Sequence, residues 1–189
     1  MATARKSSRK TASKSTSKTE ARTRARPPAM TGEHDAIELL TEDHRKVDEL
    51  FEEYEAAKDE ADDADKENRV AEICVELTIH ASVEEEIFYP AAREALDEDE
   101  DAETLDEAEV EHQSIKDLVE QLQTMTAAEE LYDAKVKVLA EYVKHHVQEE
   151  EGELFPALRD SDLDLASLGA EIAQRKEELR TELGAESAR

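Results

Sequence analysis

Six residues of this 189-residue chain are of types and at spacings that could do chemistry: His44, His80, Glu84, His112, His146 and Glu150. They fall into two matching sets. His44-Arg-Lys-Val47-Asp-Glu-Leu50 aligns with His112-Gln-Ser-Ile115-Lys-Asp-Leu118 at an offset of 68. His80-Ala-Ser-Val-Glu84-Glu-Glu-Ile-Phe-Tyr-Pro90 aligns with His146-Val-Gln-Glu-Glu150-Glu-Gly-Glu-Leu-Phe-Pro156 at an offset of 66. A His and a Glu four residues apart on a helix share a face, so each pair would point a nitrogen and a carboxylate inward from adjacent turns. A carboxylate buried there without a counter-charge would cost several kcal/mol, which a dication or a pair of them removes. Four nitrogens with two carboxylates exceed a tetrahedral zinc shell and are too nitrogen-rich for Mg or Ca. Two non-heme iron ions bridged by the two carboxylates, with two His on each, use the set symmetrically and leave positions open for a small ligand.

The elements that must carry these residues are helices. Four segments show apolar residues at alternating spacings of three and four, the narrow seam of a bundle helix. They are Ile37, Leu40, His44, Val47, Phe51, Tyr54; then Val70, Ile73, Leu77, His80, Glu84, Ile87; then Leu105, Ala108, His112, Ile115, Val119, Leu122; and Tyr132, Val136, Leu139, Val143, His146, Glu150. Each seam is interrupted by a His, and two also by a Glu one turn later. The bends are expected at Asp59 to Asn68, Asp97 to Asp106 and Thr126 to Glu129, the last read as a capping box opening the fourth helix. In each hairpin the two His then lie roughly 26 Å from the bend at 1.5 Å per residue, which puts all four in one layer. Pro90 and Pro156 are expected near helix ends, where a missing N–H does least damage.

The predicted fold is therefore all-α: an antiparallel up-down-up-down four-helix bundle over residues 31–160. A C-terminal amphipathic helix over 161–189, with Leu165, Leu168, Ile172 and Leu179 on one face, docks outside the bundle or against a partner chain. Residues 1–30 hold nine Lys/Arg against one acid and no Leu, Ile, Val or Phe, the composition of a disordered basic tail. Residues 31–189 carry 15 Lys/Arg against 50 Asp/Glu. The tail is read first as a solvated extension and second as a weak site for nucleic acid or another polyanion, without aromatic interleaving to sharpen it.

Several other chemistries are disfavoured. Aromatics are 4% of the chain against 40% charged residues, with four Gly and no Trp, which excludes an all-β fold. No run approaches 18 apolar residues and no apolar h-region opens the chain, so neither a membrane span nor a secretory signal is expected, and the expected location is the cytoplasm. The single cysteine, Cys74, cannot build a metal cage and is read as a small core residue. There is no nucleophilic Ser or Cys constellation and no phosphate loop. His34 and His145 lack repeat counterparts and are read as surface residues. Glu85, Glu86, Glu149 and Glu151 are read as a solvated charge run, with a supporting role around a metal as the alternative. Tyr54, Phe88, Tyr89 and Phe155 are read as core or lid residues.

A lone His followed by His-x-x-x-Glu-Glu-x-x-x-(Phe/Tyr)-Pro, twice over, resembles the hemerythrin-like HHE cation-binding domain across about residues 34–158. The resemblance implies a four-helix bundle holding a non-heme di-iron centre, with His44, His80, Glu84, His112, His146 and Glu150 as ligands. Oxygen-carrying members have a fifth His one turn after the third-helix ligand and an Asp as last carboxylate; the matching positions here are Lys116 and Glu150. The similarity is thus to bacterial proteins of the four-His, two-Glu type, some of which repair iron centres. The function expected is a di-iron protein that binds or senses oxygen or another diatomic such as nitric oxide, or buffers iron. The alternative is an enzyme that reduces nitric oxide or peroxide, or repairs iron centres, at the same site.

Overall fold

In a computed structural model of the chain, residues 34–96 and 102–187 are described, the side chains of 102 and 185–187 excepted. The basic tail expected at 1–30 and the acidic run 97–101 lie outside the described residues. Helix α1 (Ala36–Ala57) opens on a capping box in which Asp35 accepts from the Glu38 N–H and Glu38 accepts from the Asp35 N–H. Asp62 accepts from the Asp65 N–H and starts α2 (Asp63–Val83). Helices α3 (Tyr89–Ala95) and α6 (Phe155–Arg159) continue α2 and α5 (Tyr132–Glu149), each through one intervening turn. Between them, α4 (Ala102–Thr124) completes the antiparallel bundle, in which α1 and α4 each pack against α2 and α5.

One expectation about a helix end is corrected: Thr126 and Glu129 form a local turn, with the Thr126 N–H donating to the Glu129 carboxylate, but α5 begins only at Tyr132 and has no side-chain cap. Pro90 and Pro156 do fall near helix ends, each the second residue of its short helix, α3 or α6. In front of each, the chain widens by one residue, over Glu84–Phe88 and Glu150–Leu154, so that the Tyr89 and Phe155 N–H groups reach back five residues to the carbonyls of Glu84 and Glu150. Such a turn makes room for a ring that would otherwise press on the carbonyl four residues back. Both widened turns begin at a candidate ligand.

The seam residues are buried as the periodicity requires, except Ile87, which the widened turn leaves partly buried while Phe88 takes the core position; they form two apolar clusters rather than one. Ile37, Leu40, Phe88, Leu105, Phe155 and Leu158 belong to one; Val47, Tyr54, Ile73, Leu77, Ile115, Val119 and Leu139 belong to the other. The polar layer of His and Glu lies at the boundary between them. Cys74 is buried in the second cluster, and burial pushes its thiol up to about 11, the state of an inert core residue.

The last helix, α7 (Leu165–Ser187), docks on its own bundle, against α1 and α2, and Leu168, Ile172 and Leu179 join the first cluster. Arg175 anchors it through a 2.7 Å contact with Glu86. Close approach depends on Gly169: a Cβ there would sit 2.8 Å from the backbone of His34, Asp35 and Ala36 at the start of α1. Gly169→Ala should push α7 outward and cost about 1–3 kcal/mol, roughly 3–10 °C in Tm for a domain of this size. Gly184→Ala, which meets nothing within 4 Å, should be neutral or slightly stabilising; equal melting of the two variants would refute this packing.

Candidate metal centre

The bundle brings all six sequence-predicted residues into one layer, each less than a tenth exposed. The His44 and His80 rings lie 4.8 Å apart, and those of His112 and His146 4.6 Å apart. Each hairpin thus presents its own pair of imidazoles. The two carboxylates lie between the pairs. Glu84 Oε2 is 3.1 Å from His80 Nε2 and 3.3 Å from His112 Nε2, while Glu150 Oε2 is 3.3 Å from His44 Nε2 and 3.6 Å from His146 Nε2. Every carboxylate therefore faces one His of its own helix and one from the other half of the chain, the placement a bridging ligand needs.

The donor set fits a cation better than it fits any arrangement of hydrogen bonds. Both oxygens of Glu84, Oε2 of Glu150, Nε2 of His44 and both nitrogens of His80 are buried without a hydrogen-bond partner. So many orphaned polar atoms in one layer would be a heavy penalty in a core, and four of them, His44 Nε2, His80 Nε2, Glu84 Oε2 and Glu150 Oε2, lie against other members of the six. Ligand atoms of His44, His80, Glu84 and Glu150 lie within 4.8 Å of one another, as do those of Glu84, His112 and His146, so Glu84 is common to two overlapping groups.

Around these six lies a ring of carboxylates that face the outward ring nitrogens. Glu151 Oε1 is 2.9 Å from His44 Nδ1, Glu85 Oε1 3.0 Å from His112 Nδ1 and Glu111 Oε2 3.0 Å from His146 Nδ1. Asp43 Oδ2 is a looser 3.5 Å from His80 Nδ1. A carboxylate on Nδ1 holds the proton there and turns the Nε2 lone pair inward, which fixes tautomer and ring direction together. Glu85 and Glu151 are thus supports of the layer rather than members of a solvated run. Asp43 and Glu111 were not legible as such, although a signal existed: each directly precedes the lone His of its repeat, at the same offset of 68.

Tyr89 enters the site more deeply than a core residue would. Its hydroxyl donates to Glu150 Oε1 at 2.9 Å and lies 3.2 Å from His112 Nε2. Burial and the carboxylates of Glu84 and Glu150 hold the phenol well above its ordinary 10, so it keeps its proton. Its repeat counterpart, Phe155, stacks on His44 with ring planes 3° apart. The hydroxyl is therefore the element that breaks the twofold likeness of the site. Lys116 is half-exposed and pairs with Glu85, outside the layer. His34 and His145 are exposed, as expected, and His145 meets Glu111 and Glu149 at the surface.

An antiparallel helical bundle with a buried His/Glu layer defines a metal-binding helical-bundle protein. Residues 24–158 match the hemerythrin HHE cation binding domain, and the chain belongs to that family. A solved structure of a hemerythrin HHE cation-binding domain-containing protein from Mycobacterium kansasii is 25% identical with a TM-score of 0.63, over 79% of this chain and 89% of that one. A protein named DNA nickase from Nostoc sp. is 29% identical over 153 residues, which are 79% of this chain and 41% of the Nostoc protein. Less than half of that relative's length is thus spanned. Among the described residues no helix is long and apolar enough to cross a membrane.

Without metal, protons must supply the layer's positive charge. Burial alone would push the His80 imidazolium down, but Glu84 and Asp43 outweigh it and raise it from 6.5 to about 10. Burial likewise opposes the Glu84 carboxylate, yet His80 and His112 hold it well below its usual range. A folded pKa raised this way stabilises the metal-free protein fully below about pH 6.5, and that contribution fades as pH rises through about 10. Chelator-treated protein should therefore lose Tm between pH 7 and pH 10, and a dication added at pH 7 should release protons and bind more tightly as pH rises towards 9. Loading without proton release, read with a pH indicator in weak buffer, would contradict this assignment.

Proposed function

We propose that the protein is a non-heme di-iron protein that binds a diatomic ligand such as oxygen or nitric oxide, with His44, His80, Glu84, His112, His146 and Glu150 holding the metals. The observation that carries the reading is a small pocket of about 20 Å³ against the four imidazoles and Asp43, its remaining wall made by Val47, Leu77, Ala81, Ile115, Val143 and Val147. That is room for one water-sized molecule beside the candidate ligands. Two irons would supply electrons and open coordination positions there. His44, Val143 and Val147 also wall a larger groove of about 560 Å³ between α1 and α5, which would give a small molecule its approach. Tyr89 holds a proton at Glu150 Oε1 and the Nδ1 carboxylates keep the imidazoles aimed inward. With Lys116 committed to Glu85, no fifth imidazole completes a shell, which supports exchange and turnover over long-term oxygen storage.

Metal analysis after anaerobic iron loading, followed by absorption spectra of the reduced protein with oxygen, peroxide and nitric oxide in turn, tests this reading. Two irons per chain and spectral changes with a diatomic are expected; one iron or fewer, or spectra indifferent to all three, would overturn it. Consumption of many equivalents of peroxide or nitric oxide would favour the enzymatic alternative.

Similarity to the Nostoc DNA nickase favours a second reading, in which the iron centre acts on DNA. The acidic body would repel phosphate, so DNA contact would rest on the nine Lys/Arg of residues 1–30. Iron-loaded protein should then convert supercoiled plasmid to the open circle, and a chain starting at Thr31 should do so far more slowly at moderate salt. Plasmid left supercoiled by the full-length, iron-loaded protein would exclude it.

A further inference from the structure

Each outward His nitrogen faces a carboxylate, but one of the four carboxylates differs from the rest. Glu85, Glu111 and Glu151 are partly open to solvent, whereas Asp43 is buried, and so is the cation that holds it. That cation is Lys176 of α7, only 6% exposed, whose ammonium donates to Asp43 Oδ1 at 2.5 Å. Lys176 lies four residues after Ile172 and three before Leu179, in the stripe that docks α7 on the bundle. A lysine is rarely accepted in an apolar stripe unless it is paired.

We propose that Lys176 is a positioning residue of the metal centre: by holding Asp43 it sets how strongly that carboxylate acts on His80, so that α7 helps to tune the redox behaviour of the iron. The inference rests on the di-iron reading above. Asp43 has two oxygens and two claimants. Lys176 takes Oδ1, and Oδ2 stands 3.5 Å from His80 Nδ1, while Glu111 and Glu151 stand 3.0 and 2.9 Å from theirs and Glu85, whose lysine, Lys116, is exposed, stands 3.0 Å from its own. The Lys176 ammonium pairs with the buried Asp43 carboxylate beside His80 and also draws its charge away from the imidazole. Removing it should let Asp43 close on Nδ1–H, make His80 a more electron-rich ligand and favour the ferric state.

The test compares the parent with K176M, K176Q and K176R, all iron-loaded, by redox titration monitored spectroscopically. K176M should lower the potential by about 59 mV, a tenfold fall in the ferrous-to-ferric ratio at fixed potential for one electron. K176Q, which keeps a neutral donor to Asp43 and stands in if K176M does not fold, should shift the potential in the same direction by less. K176R should stay at the parent value. I172A, which loosens α7 with the lysine in place, should lower Tm and leave the potential where it was. Potentials of K176M and K176Q equal to the parent, or an equal shift in I172A, would overturn the proposal while leaving the di-iron reading intact. A parent that takes up no iron would overturn both.

Discussion

Everything in this bundle answers to one constraint: Glu84 is a carboxylate with no exposure to solvent and no hydrogen bond to either oxygen. A charge in that position is tolerated only if positive charge is brought to it. The chain does so with imidazoles from both halves, His80 from its own helix and His112 from α4, and repeats the arrangement at Glu150 with His146 and His44. Such a layer exchanges the stability of a continuous apolar core for a site. The apolar clusters on either side of it, and the antiparallel helices that carry them, hold the six side chains close together.

Orientation comes from the next ring outward. Asp43, Glu85, Glu111 and Glu151 take the Nδ1 side of the four imidazoles, so the Nε2 lone pairs face the centre without further help. The widened turns at Glu84 and Glu150 belong to the same design, because they bring Tyr89 and Phe155 over the layer. Twofold likeness is kept in the ligands and abandoned in their supports. One half has a phenol where the other has a phenyl ring, and one half sets a buried lysine on Asp43 where the other sets the exposed His145 on Glu111.

How much of this was legible in the sequence follows from what periodicity can see. A His in an apolar seam contradicts its surroundings, so the four His and their Glu partners announced themselves, and the doubled motif placed them in one layer. The outer carboxylates did not, because Asp43 and Glu111 flank the seam in a chain with 51 acidic residues, where one more acid carries no contrast. Proline alone signals an interrupted hydrogen-bond ladder, and whether the helix stops or widens is decided by packing beyond it, here the burial of Phe88, Tyr89, Leu154 and Phe155. Lys176 could have been noticed for the reason the His were, since it occupies a position the stripe reserves for apolar residues.

The central proposal is that two metal ions would share one layer, with Glu84 and Glu150 common to both. The most direct measurement is anomalous diffraction at the iron edge from crystals of the iron-loaded protein. Two peaks are expected, one beside His44 and His80 and the other beside His112 and His146, with both carboxylates between them. A single peak, or iron outside the layer at the surface cluster of Glu111, His145 and Glu149, would contradict the account.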